Sequence, residues 1–98
     1  MDKYKQPSTL HQLLVAALPT VIDSLKMSYN LEDWERIEKV TYNLMNMTAY
    51  TDVPALKQAV YDFSKTLNID RKLETKTLRT DYERVLKEAQ NVIEKFKN

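Results

Sequence analysis

Apolar residues recur along this chain at three- and four-residue intervals, the spacing that lines one side of an α-helix. Leu10, Leu13, Leu14, Ala17, Leu18, Val21, Ile22 and Leu25 make a wide first stripe. Ser8 or Thr9 would cap this helix, with Pro7 just outside it. Pro19 interrupts the stripe. It has no N–H to donate and crowds the preceding turn, so a kink or break is expected near Leu18. Asn30 is a cap candidate for a second helix, with Asp33 three residues on. That helix carries Trp34, Ile37, Val40, Thr41, Leu44, Met47 and Thr48. Asp52 would cap a third, with Pro54 in its first turn, where a missing N–H costs nothing. Its buried positions would be Leu56, Ala59, Val60, Phe63 and Leu67. Asn68-Ile69-Asp70 reads as a turn. A last helix bears Leu78, Tyr82, Val85, Leu86, Ala89, Val92, Ile93 and Phe96.

These segments predict an all-α protein, an up-and-down four-helix bundle with a short or kinked N-terminal helix. Residues 1–7 would be a tail and 8–98 a single bundle. Composition agrees: the 98 residues include no Gly and three Pro. Without Gly the phosphate-cradling loops are excluded, because their backbones approach a ligand only where Cβ is missing. Without Cys there is no disulfide, thiolate metal site or cysteine nucleophile. His11 is the only imidazole, which argues against a His-rich metal site or a Ser/His/Asp triad. No cofactor and no metal are expected.

Charge is nearly balanced, with 15 Lys+Arg against 14 Asp+Glu and a net of +1, so nothing draws nucleic acid or an anionic membrane to the chain as a whole. Arg71, Lys72, Lys76 and Arg79 cluster, but Asp70, Glu74 and Asp81 interleave with them, the pattern of a solvated helix face. No apolar run approaches the ~20 residues of a membrane span, and Met1 to Pro7 lacks the apolar core of a signal peptide. A soluble cytoplasmic protein is expected.

The second helix offers the candidate site. Tyr42 falls about 160° from the core residue Leu44 around the helix axis. Glu38, Lys39, Met45, Asn46 and Ala49 share its outer face, and Asn43 borders it. Tyr42 and Met45 would thus project large, partly apolar side chains toward water or a partner, a pointer to a protein interface. The acidic run Glu32, Asp33, Glu35 and Glu38 is explained by the helix dipole. Trp34 and Met47 read as packing residues. Tyr61 and Asp62 read as solvent-side or rim.

The stretch from Val40 to Leu56, Val-Thr-Tyr-Asn-Leu-Met-Asn-Met-Thr-Ala-Tyr-Thr-Asp-Val-Pro-Ala-Leu, resembles the signature of histidine phosphotransfer (HPt) domains. The subtype it resembles is the C-terminal domain of tripartite bacterial hybrid sensor kinases, which reads roughly His-x-Leu-His/Lys-Gly, three small residues, then Tyr-Ser-Gly-Val-Pro-x-Leu. The likeness takes in Leu18-Pro19 and Asp33-Trp34 and covers roughly residues 8–67. Its most specific piece is Tyr50 to Pro54. Leu44, Tyr50, Val53, Pro54 and Leu56 match scaffold positions of the family. The chemical positions depart from it. Tyr42 stands where the family keeps its phosphorylated histidine, Met45 where it keeps a basic residue, and Asn46 where it keeps a glycine.

Each departure has a chemical meaning. Phosphoryl transfer from a receiver aspartate needs a neutral imidazole nitrogen. A phenol, with an ordinary pKa of ~10, is protonated at neutral pH. Met45 cannot neutralise phosphoryl oxygens, and Asn46 adds bulk where glycine makes room. The resemblance therefore implies a catalytically inactive HPt-like protein, not an enzyme. It would dock a response-regulator receiver domain or a sensor kinase through Glu38, Lys39, Tyr42, Asn43, Met45, Asn46 and Ala49. Two alternatives stay open: a bundle serving a non-signalling partner, and an active carrier using Tyr42 or His11. With any of these readings the protein would be a monomer or a weak homodimer through the outer face of the second helix.

Overall fold

The computed structural model describes residues 9–69 and 76–96. It contains four helices: α1 (Thr9–Asn30), α2 (Trp34–Ala49), α3 (Pro54–Ile69) and α4 (Lys76–Phe96). Each packs beside its neighbour in the chain, and α4 returns to α1, so among the described residues the helices form a ring of four whose backbones do not approach closely across either diagonal. The bundle measures 50 × 20 × 19 Å. The expected all-α, four-helix architecture is what the chain adopts. Ser8, Asp70, Arg71, Lys72 and Glu74 lie outside the described residues, as does the side chain of Leu10.

A single apolar cluster runs down the centre. Phe63, Leu18, Leu25, Ile37, Leu44, Leu56, Leu78 and Val85 are all fully buried in it. The five α3 positions expected inside are all buried. In α4, Leu78, Tyr82, Val85, Ala89 and Val92 are buried, while Leu86, Ile93 and Phe96 are half-buried against the cluster. Large-to-small changes at such positions cost ~2–5 kcal/mol, so this cluster dominates the bundle's stability.

α1 is neither short nor broken. It runs for 22 residues with Pro19 inside it. Leu14, Leu18, Ile22, Leu25 and Tyr29, on both sides of the proline, are buried in the common core. Their burial outweighs the ~3 kcal/mol that an internal proline costs a helix, and Pro19 itself faces solvent.

The turn after α1 corrects the expected cap. Asn30 is the last residue of α1, and Asp33 caps α2: its Oδ1 accepts the Arg36 N–H at 3.2 Å. Between them the Glu32 N–H reaches the Tyr29 carbonyl at 3.1 Å, and the Asp33 N–H reaches the Ser28 carbonyl at 3.0 Å. This pair of bonds is a Schellman closure, which needs a left-handed residue and usually takes Gly. The chain has none, so Glu32 adopts it, at φ 55°.

The turn after α2 holds a second correction. Val53, not Asp52, is the residue from which α3 starts; the Lys57 N–H donates to its carbonyl at 2.9 Å. Val53 is buried, and Pro54 takes the first helical position as expected. Asp52 is instead held by its main chain, whose N–H donates to His11 Nε2 at 3.3 Å. At the far end of α3, Asn68 and Ile69 remain helical rather than turning.

Buried hydroxyls are paired. Thr41 donates to the Ile37 carbonyl at 2.7 Å and Thr48 to the Leu44 carbonyl at 2.9 Å. These bonds let α2 put Thr on its inner stripe beside Ile37 and Leu44, because a hydrogen bond to its own helix offsets the cost of taking the hydroxyl out of water.

Candidate functional site

With Ile37, Thr41, Leu44 and Thr48 facing the core, α2 turns Tyr42 outward. Tyr42 is 66 % exposed. Ala49, seven residues further on, lies on the same exposed line, and Lys39, Asn43 and Asn46 are exposed beside it.

The structure divides the sequence-predicted residues other than Ala49 between two grooves that flank this ridge. On the α3 side, Glu38, Lys39, Tyr42 and Met45 border an open groove of ≈ 620 Å³. Ser64, Leu67 and Asn68 of α3 form its opposite wall, and Glu35 and Thr41 complete it. On the α1 side, Asn43 and Asn46 border a smaller groove with Leu13, Ala17, Val21, Met47 and Tyr50. Helix geometry accounts for most of the split: Glu38 and Met45 fall ~40–60° to one side of Tyr42 and Asn46 ~40° to the other, while Lys39, on the Asn46 side of the axis, still borders the α3 groove.

Met45 departs from expectation. It does not project into water but is half-buried and packed against the core. It lies on the flank of α2 toward Thr41, and α3 packs there. It therefore supplies an apolar floor rather than an exposed knob, and Leu67 extends that floor from α3. Glu38 is half-buried at the rim. The α3 contribution could not be read from the sequence, because it depends on which helix packs beside the outer face of α2.

His11 sits at the end of the bundle. Its ring lies 4.9 Å from the Phe96 ring at 42°, and its Nε2 accepts the Asp52 N–H. Tyr42 lies about 10 Å along the α2 axis from Ala49, where that end begins. The Nε2 lone pair is thus occupied in holding the α2–α3 turn, far from the Tyr42 face. α2 itself contains no histidine. Among the described residues no group of three or more His, Cys, Asp or Glu is placed to hold a metal ion. Nor is any described helix long and apolar enough to cross a membrane.

Tyr61 is 49 % exposed, as its rim position suggests. Asp62 is partly exposed but not idle: it accepts Arg84 Nη1 at 2.8 Å from α4 and Gln58 Nε2 at 2.9 Å from its own helix. Arg84, beside it, then Gln58, hold the Asp62 carboxyl below its ordinary value of 3.8. Trp34 is half-buried against the core.

Comparison with protein-family models, curated proteins and solved structures finds no match to this chain.

Proposed function

We propose that this protein is a docking module of the phosphorelay type that lacks the phosphoryl-bearing side chain. It binds a response-regulator receiver domain or a sensor kinase in the cytoplasm and acts by occupancy. The reading rests on the HPt-like residues from Val40 to Leu56. One observation supports it: the position where that family keeps its histidine carries Tyr42, exposed at the centre of the outer face of α2 on a four-helix frame. A phenol there can bury an aromatic ring and donate one hydrogen bond, but it is not a neutral imidazole nucleophile.

The groove beside Tyr42 suits such a role. Met45 and Leu67 offer an apolar floor, and Glu35, Glu38 and Lys39 rim it with charge. That is the layout of a protein interface, an apolar centre within a polar margin. Partner choice would differ from that of a phosphorylatable relative, because Tyr42 and Asn46 add bulk where a histidine and a glycine would stand.

Titration calorimetry against a panel of receiver and kinase domains tests the reading. Binding to at least one, abolished by Tyr42→Ala, supports it. No binding to any of them at high micromolar concentration removes it and leaves a bundle with a partner outside signalling.

A further inference from the structure

His11 joins three elements at one end of the bundle. It belongs to α1, its ring lies 4.9 Å from the Phe96 ring at the close of α4, and its Nε2 accepts the Asp52 N–H of the α2–α3 turn at 3.3 Å. The turn is otherwise closed by its own main chain. Thr51 and Val53 are buried, and Asp52 between them is exposed. The Thr51 and Val53 N–H groups bond inside the turn, to the Thr48 and Thr51 carbonyls at 3.4 and 3.1 Å. The Asp52 N–H instead reaches across 41 residues of sequence to α1.

Only a neutral imidazole can make this bond. A neutral ring that accepts at Nε2 carries its proton on Nδ1, and a second proton goes to Nε2 and turns the acceptor into a donor. Two donors then face each other, which drives them apart. Imidazole is the ordinary side chain that makes this change between about pH 5 and 8. Charges of both signs stand on the elements packed around it. Asp52 and Lys57 border a groove at the start of α3. Glu88 and Lys95 of α4 border another, shared with Asp52 and Phe96, and Lys95 Nζ lies 5.6 Å from the Phe96 ring centre. Tyr50 adds a phenol from the end of α2, and α1 carries no charged residue from Thr9 to Ile22. The two carboxylates favour an imidazolium and the two ammonium groups oppose it. What separates the two states is therefore the Nε2 lone pair and the bond it makes.

We propose that His11 is a pH-sensitive clasp: neutral, it ties the α2–α3 turn to α1, and on protonation it lets go of the Asp52 main chain. The released N–H turns to water, as the exposed position of Asp52 allows. The apolar cluster takes no part in the change, so the four helices stay assembled while the turn from Tyr50 to Pro54 loosens. The clasp is independent of the partner proposed for the Tyr42 face.

Nuclear magnetic resonance of the full chain between about pH 5 and 8 provides the test, with circular dichroism confirming the fold of each variant. The His11 ring Cε1–H and the Asp52 amide shift together, with one midpoint. Exchange of the Asp52 amide, taken relative to an unstructured amide at the same pH, is about fivefold faster on the acid side, the loss of one hydrogen bond. His11→Gln keeps an acceptor that does not titrate, so the Asp52 amide holds its position and its protection across the range. His11→Phe keeps a ring against Phe96 without an acceptor, so protection is low at every pH. An Asp52 amide that does not follow the His11 midpoint overturns the proposal. So does a pH response that persists in His11→Gln, or wild-type protection in His11→Phe.

Discussion

The rings of Tyr29 and Tyr82 lie face to face between α1 and α4, their centroids 3.7 Å apart and their planes 7° from parallel. Phe63 meets Tyr82 at 6.2 Å and 44°. Both phenols are buried, and burial pushes both above the ordinary value of 10.0. For Tyr82 a charge on Tyr29 would add to the rise, while Arg79 opposes it at both. The sign follows directly. A group raised in the folded state contributes stability that is complete below its unfolded value and is lost as pH climbs through the folded one. The bundle therefore loosens above pH 10.0 as these two phenols ionise. Urea midpoints measured across the alkaline range should fall, and Tyr29→Phe or Tyr82→Phe should flatten that fall.

A second seam predicts the opposite limb. Arg84 Nη1 and Asp62 Oδ2 join α4 to α3 at 2.8 Å, and Thr66 joins Asp81 at 2.6 Å one turn away. The Asp62 and Arg84 side chains are 33 % and 41 % exposed, so solvent screens the pair. Arg84→Ala should cost about 0.5–1 kcal/mol near neutral pH. Because Arg84, then Gln58, depresses the Asp62 carboxyl, this contribution is present above 3.8 and disappears as pH falls through the lower folded value. Urea denaturation of wild type and Arg84→Ala should converge in acid.

Glu32 offers a stabilising change. It holds a left-handed conformation at φ 55° to close α1, which costs a residue with Cβ ~1–2 kcal/mol. Glycine relieves that cost but gives back part of it as unfolded-state entropy. Glu32→Gly should raise stability by about 0.5–1 kcal/mol, read as a higher urea midpoint with an unchanged slope.

The helices were legible because their core stripes repeat. Leu56, Ala59, Val60, Phe63 and Leu67 announce the inner side of α3 without reference to any other element. The misreadings arose where several interactions compete at one place. A cap at Asn30 looks as good by residue type as one at Asp33, and only the Schellman bonds to Ser28 and Tyr29 decide between them. Pro19 looks like a break until the burial of Leu18 and Ile22 on either side is known. Tyr29 lies four residues past Leu25 and seven past Ile22, on the α1 core stripe; what the sequence does not show is its stacking partner, 53 residues away at Tyr82. The outward aim of Tyr42 was legible for the same reason as the core, since it lies opposite Leu44. The division of its neighbours between two grooves was not, because α1 and α3 create those grooves.

The contrast between Leu44 and Tyr42, two residues apart, separates fold from function. Leu44 is fully buried, and Leu44→Ala should cost ~2–5 kcal/mol of stability. Tyr42→Ala, on the exposed face, should change stability by no more than about 0.5 kcal/mol. If Tyr42 anchors a docked receiver domain, the same substitution should weaken binding by about 2 kcal/mol, near 30-fold in Kd. Phosphoryl transfer sets a further condition. An imidazole at position 42 supplies the nucleophile but leaves the half-buried Met45 thioether beside it, which cannot neutralise phosphoryl oxygens, and Asn46 crowding the approach. Tyr42→His alone should therefore accept no phosphoryl group from a phosphorylated receiver. The triple change Tyr42→His, Met45→Lys and Asn46→Gly should accept it, moving the group from the receiver's aspartyl oxygen to the imidazole nitrogen. Radiolabel transfer resolved by electrophoresis reads both variants. Rapid labelling of the single variant would show that Met45 and Asn46 do not govern the chemistry.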